Sequence, residues 1–281
     1  MSLTPLALSL GDPAGVGPEI VAKAWAELRE SGPRFMVIGD ANLLSTASRA
    51  GGAAVRRISR PSDVAPVFPN AIPVLDLPLS APVVSGKASK AHAPHIIRWI
   101  ETGAGLALSG KVSGLVTAPI AKAPLYEAGF RFPGHTEFLA ELTATPGEEP
   151  RDPVMMLVAG DLRAALVTIH EPLAAVAGLL TAERITQAGL TTAAGLTRDF
   201  GIAKPRLAVA GLNPHAGEDG KIGREDIDIV APAVAALREA GVDARGPFPA
   251  DTLFHADARK GYDAVLCLYH DQALIPVKML D

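Results

Sequence analysis

The stretch YDAVLCLYH, residues 262–270, is an apolar, strand-like run that ends in a histidine. Two more runs have the same form: LRAALVTIH at 162–170 and RLAVAGLNPH at 206–215. Ligands of open α/β sheets bind just beyond the carboxyl ends of the strands. His170, His215 and His270 therefore read as three arms of one metal site. Three protein ligands with a fourth position open is the catalytic pattern of a metal centre. A lone histidine at a strand end is more often a hydrogen-bonded side chain. The joint reading rests on the shared context, because turn residues flank all three: Glu171-Pro172, Asn213-Pro214 and Asp271-Gln272.

Outward from these runs, strands alternate with helices, which predicts an α/β fold with mostly parallel sheets. Strands are expected at Leu6–Leu10, Phe35–Ile38, near Val74, and at Val112–Val116, Leu207–Leu212 and Ala264–Leu268. Helices are expected at about 18–30, 41–50, 88–108, 119–128, 174–198 and 224–240. Pro153–Ala159 and Leu162–Ile169 read as strands joined by Gly160-Asp161, a hairpin signal that makes the sheet locally antiparallel. The glycine-containing turn at 130–134 is the expected hinge between two α/β domains, 1–132 and 133–281.

The chain has 281 residues, enough for one large or two modest domains. Lys and Arg total 26 against 30 Asp and Glu, a net charge of −4. That balance argues against a nucleic-acid or membrane-surface partner, which would need a basic field. The one cysteine, Cys267, lies inside an apolar run and reads as a buried, inert thiol. The N-terminus has no basic region preceding a long apolar core, so a cytoplasmic protein is expected.

The turn GDPAGVGPEI, 11–20, joins a strand to a helix; it matches neither the GxGxxG nor the GxxxxGK[ST] nucleotide fingerprint. It suits a tight βα turn as well as an anion site at a helix N-terminus. TAPIAK, 117–122, is a second strand-to-helix turn. In PGHTE, 133–137, Thr136 suits a helix cap, and His135 with Thr136 suits a phosphate. Asp251 also suits a cap. Asp271 directly follows His270 and could orient its ring or accept a proton. Lys278 is an ordinary surface lysine unless a metal site lies nearby, where it could hold an anionic group or shuttle protons.

Taken in order, GDPAGVGPEI, TAPIAK, PGHTEFLA, VTIHEPL, GLNPHAGEDGKIG, GPFPADT and YHDQALIPVK resemble the PdxA family across essentially the whole chain. That family comprises 4-hydroxythreonine-4-phosphate dehydrogenase and its close relatives. The resemblance implies an isocitrate/isopropylmalate-dehydrogenase-like fold of two α/β domains, and a homodimer with sites at the subunit interface. It implies a divalent metal (zinc, cobalt or magnesium) held by His170, His215 and His270. Substrate contacts map to His135, Thr136 and Lys278, and catalytic roles to Lys278, Asp271 and Asp251. The implied reaction is NAD- or NADP-dependent oxidation of 4-phosphohydroxy-L-threonine, with decarboxylation to 3-amino-2-oxopropyl phosphate, in pyridoxal phosphate biosynthesis.

Family members continue beyond YHDQALIPVK into a GLP…R-T-S-x-D-H-G-T segment with part of the dinucleotide site. The sequence is accordingly expected to be part of a longer protein, and the cofactor-binding residues stay unassigned. Three other readings stand beside the first. One is a paralogous dehydrogenase of a phosphorylated sugar acid, such as 4-phosphothreonate or 4-phosphoerythronate; another is a hydrolase that uses three histidines and a metal to activate water; the third is a non-catalytic phosphate- or metal-binding protein.

Overall fold

The computed structural model describes residues 4–48, 52–144 and 153–280. The chain divides into two compact units, Met1–Arg151 and Asp152–Asp281.

The first unit contains β1 (Leu6–Ser9), α1 (Gly17–Leu28), β2 (Phe35–Gly39), α2 (Ala41–Ser48), β3 (Val55–Ile58) and α3 (Val64–Val67). It continues with β4 (Ile72–Asp76), α4 (Ala93–Leu108), β5 (Leu115–Thr117), α5 (Lys122–Glu127) and α6 (His135–Leu142). Its sheet runs β3-β4-β2-β1-β5, every pair parallel. Every residue of the apolar β2 is buried, as a strand covered on both faces must be. On α4, Ile96, Trp99, Ile100 and Gly103 fall at helical spacing and are buried. A Cβ at Gly103 would lie 2.5 Å from Leu115, so α4 approaches the sheet only because that position is glycine. The helix begins at Ala93 rather than near 88, because Pro94 occupies its first turn and Lys90–His92 form a separate 3₁₀ turn.

The turn from β1 to α1 is sterically demanding. Gly11 has φ +75°, and a Cβ there would sit 2.5 Å from the Pro119 carbonyl, which accepts the Asp12 N–H at 2.9 Å. Asp12 is buried and accepts the Ala14 N–H at 2.9 Å. Much of the GDPAGVG pattern is thus explained by the close crossing of the β1 and β5 turns.

The second unit contains β6 (Met156–Ala159), β7 (Leu162–Leu166), α7 (Leu173–Leu179), α8 (Ala182–Phe200), β8 (Arg206–Ala210) and α9 (Ala231–Glu239). It continues with β9 (Asp243–Phe248), α10 (Ala256–Arg259), β10 (Ala264–Cys267) and α11 (His270–Leu280). The sheet order is β6-β7-β10-β8-β9. Among the described residues only the β6–β7 hairpin is antiparallel, with Gly160 at φ +57° in its turn, as the Gly-Asp signal predicts.

Several boundaries differ from those expected, for local reasons. The helical region at 174–198 is two helices, because Leu180 is extended and the Thr181 hydroxyl caps α8 on the Arg184 N–H at 3.1 Å. The residues at 130–134 are no hinge: Phe130, Phe132 and Phe138 stack at 5.1–5.4 Å and pack onto the first core. That cluster keeps α6 in the first unit and moves the division from 132/133 to 151/152. Cys267 has no exposed surface, and burial pushes its thiol far above the ordinary value, as expected for an inert cysteine.

Gly11→Ala should destabilise the protein by more than about 1 kcal/mol, since the added Cβ meets backbone and the left-handed φ is strained. Urea denaturation reads this, and an unchanged midpoint would contradict the account.

Candidate active site

In the second unit, the parallel pairing of β7, β10, β8 and β9 delivers their following loops to one rim of the sheet. His170 lies past β7, His215 past β8, His270 opens α11 after β10, and Asp251 follows β9. The rings of His170 and His270 stand side by side, centroids 5.7 Å apart and inclined at 46°. His270 Nδ1 is 3.1 Å from Asp271 Oδ1. With the proton on Nδ1, the ring donates to Asp271 and the Nε2 lone pair is left available.

His215 and Asp251 line a cleft of about 390 Å³ together with Asn213, Tyr269 and Gln272. Among the described residues, no three His, Cys, Asp or Glu side chains converge closely enough to hold a metal ion. The three histidines share a rim and two of their rings pair, without forming a metal cage within the described residues.

His215 stands on unusual backbone. His215, Ala216, Gly217, Glu218 and Asp219 all have positive φ, from 43° to 80°. For an L-residue this conformation costs roughly 1–2 kcal/mol, so something must hold it. Asp226, 1% exposed, supplies the brace. Its carboxylate accepts the Leu212 N–H at 2.7 Å, the Asn213 N–H at 3.0 Å and the Asn213 Nδ2 amide at 3.0 Å. Asn213 Nδ2 also donates to Glu225 Oε2 at 2.8 Å. Composition points to a loose surface loop at 211–223, but these bonds make it a braced one. Such strain persists only where the surroundings over-determine it, and it concentrates at functional sites.

The first unit holds the other sequence-predicted group. His135 is the first residue of α6, and Gly134 rather than Thr136 occupies the cap position. Thr136 is half-buried within the first turn, so capping does not explain it. His135 Nε2 is buried and makes no hydrogen bond among the described residues. Burial first, and then the charge of Lys122, push its pKa below the ordinary 6.5. The Lys122 ammonium lies 3.8 Å from the position of a Cβ on Gly134, beside the start of α6, and has no ion-pair partner among the described residues. Sequence reasoning quotes Lys122 within TAPIAK without a role; only the packing of α5 shows where its charge falls.

Asp251 is not a helix cap: it sits inside the short 3₁₀ turn Ala250–Thr252, and its side chain is exposed. Lys278 is exposed near the far end of α11. Eight residues separate it from His270, roughly 12 Å along a helix axis. Within one chain it is not brought to the histidine rim.

Two mostly parallel α/β sheets with chemistry-bearing residues beyond the carboxyl ends of their strands define an α/β enzyme. A family model described as "Pyridoxal phosphate biosynthetic protein PdxA" matches residues 32–281. The 4-hydroxythreonine-4-phosphate dehydrogenase of Caulobacter vibrioides is 69% identical over 282 residues, covering 100% of this chain and 84% of the relative. The crystal structure of the same-named enzyme from Klebsiella pneumoniae superposes with a TM-score of 0.91 at 40% identity, covering 99% of this chain and 85% of that one. A terephthalate 1,2-cis-dihydrodioldehydrogenase from Burkholderia xenovorans superposes with a TM-score of 0.69 at 30% identity, covering 99% and 83%. The chain belongs to the PdxA family and is an enzyme of the dehydrogenase class.

Lys122→Met should raise the His135 pKa toward its ordinary value, because one of the two causes of the depression is removed. Proton NMR titration of the imidazole checks this; an unmoved titration would refute the electrostatic link. In the native protein the depressed pKa has a matching sign in stability. The contribution of His135 is complete above the unfolded-state value of 6.5 and is lost as pH falls through the lower folded-state pKa.

Proposed function

We propose that this chain oxidises 4-phosphohydroxy-L-threonine at its 3-hydroxyl with NAD or NADP as hydride acceptor, and that decarboxylation gives 3-amino-2-oxopropyl phosphate. The observation that carries the reading is 69% identity along the whole chain to a relative of that name. The more distant dihydrodiol dehydrogenase, at 30% identity, has a related fold under a different name, so overall shape alone does not choose the substrate.

The proposed ligands of a divalent ion are His170, His215 and His270, supported by their common rim and by the paired rings of His170 and His270. Such an ion, when bound, polarises a hydroxyl oxygen and lowers its pKa. Asp271 orients the His270 ring through the 3.1 Å contact. Asp251, on the same cleft as His215, is the carboxylate assigned to receive the hydroxyl proton. A nicotinamide bound at the site would accept the hydride from the carbon that bears the hydroxyl, so that the alcohol becomes a ketone. The carbon–carboxylate bond of the resulting β-keto acid then breaks, carbon dioxide leaves its electron pair delocalised into the ketone as an enolate, and protonation of that enolate at carbon gives the amino ketone phosphate.

His135 and Thr136 are assigned to the anionic part of the substrate. A neutral imidazole can donate one hydrogen bond without titrating near neutral pH, consistent with its depressed pKa. Lys278, an exposed ammonium, is assigned to a substrate anion rather than to proton transfer at the histidine rim. A homodimer with shared sites is part of this reading.

NADH formation from 4-phosphohydroxy-L-threonine should require added divalent metal after chelation. It should fall at least roughly 100-fold in His215→Ala, more than loss of an outer-sphere partner costs. NADH from 4-phosphoerythronate but none from the phosphohydroxythreonine would replace the substrate assignment. Full activity in the chelated protein would remove the metal from it.

A further inference from the structure

The two faces of the second sheet are filled unequally. On one face, Leu207 and Val209 of β8 pack with Ile185 and Leu196 of α8 and with Val234 and Leu237 of α9. Side chains alternate along a strand, so the opposite face of β8 carries Ala208 and Ala210. These join a separate core with Leu253 and Tyr262. Two alanines fill little of that layer. Its cover beside β8 and β9 comes from the 3₁₀ turn Ala250–Thr252 and the four-residue α10. A cavity of about 260 Å³ is left, lined by Ala208, Phe248, Leu253 and Tyr262 among others.

An apolar cavity of roughly 150 Å³ holds one benzene ring, so the space here takes one ring with a short substituent. The charged groups on its lining are two guanidiniums, Arg206 and Arg245. Arg206 is engaged throughout: Asp263 accepts from Nε and Nη2 at 3.1 and 3.0 Å, and the Lys260 carbonyl accepts from Nη1 at 3.1 Å. Asp243 accepts from Nε and Nη2 of Arg245 at 3.1 and 3.2 Å, which leaves Nη1 for another acceptor. The Tyr262 hydroxyl is already spent on the Leu253 carbonyl at 2.8 Å. An apolar floor with one available guanidinium edge suits a single-ring aromatic carboxylate.

One short segment separates this cavity from the candidate active site. Phe248, Thr252 and Leu253 line the cavity, while Ala250 and Asp251, between them, line the cleft of His215. The Phe248 carbonyl also accepts the Gly211 N–H at 2.7 Å, where the His215 loop begins. A ring set against Phe248 and Leu253 therefore presses on both ends of the segment that carries Asp251.

We infer that this cavity is a binding site for a single-ring aromatic carboxylate, and that its occupation displaces the Asp251 turn and lowers turnover. The effect on turnover rests on the role proposed above for Asp251, whichever subunit's site that carboxylate serves. The binding itself does not.

The probe is 4-fluorobenzoate, followed by its fluorine NMR signal on titration into the intact protein, with the backbone amides of Ala250, Asp251 and Thr252 read alongside. Wild type should bind it saturably and shift those amides. Ala208→Leu, which fills the floor, should abolish binding. Arg245→Gln should weaken it roughly 3- to 10-fold, and uncharged 4-fluorobenzamide should bind wild type more weakly by a similar factor. With 4-phosphohydroxy-L-threonine as substrate, saturating 4-fluorobenzoate should lower kcat in wild type and leave that of Ala208→Leu unchanged. No saturable binding to wild type, or equal binding by wild type and both variants, would overturn the site. Binding with unmoved amides and unmoved kcat would overturn its link to Asp251. If Ala208→Leu does not fold, the surface change Arg245→Gln decides alone. Failure of the proposed function looks different: the unliganded protein would make no NADH from that substrate, while the fluorine and amide signals still report on the cavity.

Discussion

Parallel pairing in the second sheet is the constraint on which the candidate site depends. Parallel strands end on the same side, so the loops after β7, β10, β8 and β9 must share a rim. An antiparallel strand in the middle of the order would send one of those loops to the opposite edge. The one antiparallel strand among the described residues, β6, lies at the margin beside β7 and carries none of the candidate residues. The central strand β10 is buried throughout, and its neighbours in the sheet lie about 57 and 100 residues earlier in the chain, as the Leu207 and Ala164 pairings show. The rim is therefore assembled from distant segments and exists only once the sheet is complete.

Local structure at that rim is expensive, and the surrounding residues offset the cost. The left-handed run through His215 follows directly on Leu212 and Asn213, whose three N–H groups the buried Asp226 carboxylate receives. In the first unit, burial and a nearby ammonium push the His135 pKa below its ordinary value. Pre-organisation of this kind lets a site meet charge as it develops without first rearranging.

The comparisons separate fold from specificity. A TM-score of 0.91 accompanies 40% identity, and 0.69 accompanies 30%, under enzyme names that differ in substrate. The strand order and the carboxyl rim belong to the architecture. Substrate choice belongs to the side chains around the rim.

Much was legible along the chain. The Gly160-Asp161 hairpin, the buried β2 and β10, the inert Cys267 and the histidines beyond apolar runs were written in local pattern and hydropathy. Less legible were β3, with two exposed arginines in four residues, and β9, with Gly246 and Pro247. Both are edge strands that need no continuous apolar run. The helix α11 was hidden by Pro276, and the aromatic cluster of Phe130, Phe132 and Phe138 was mistaken for a hinge. The sequence by itself determined the fold class and which residue types could do chemistry, because both follow from composition and short-range spacing. Only the tertiary structure decided that His170 meets His270, that His215 sits on braced left-handed backbone, and that Gln272 spans from Leu268 to Gly211. Those facts depend on hydrogen bonds and packing between segments tens of residues apart, which no local pattern encodes.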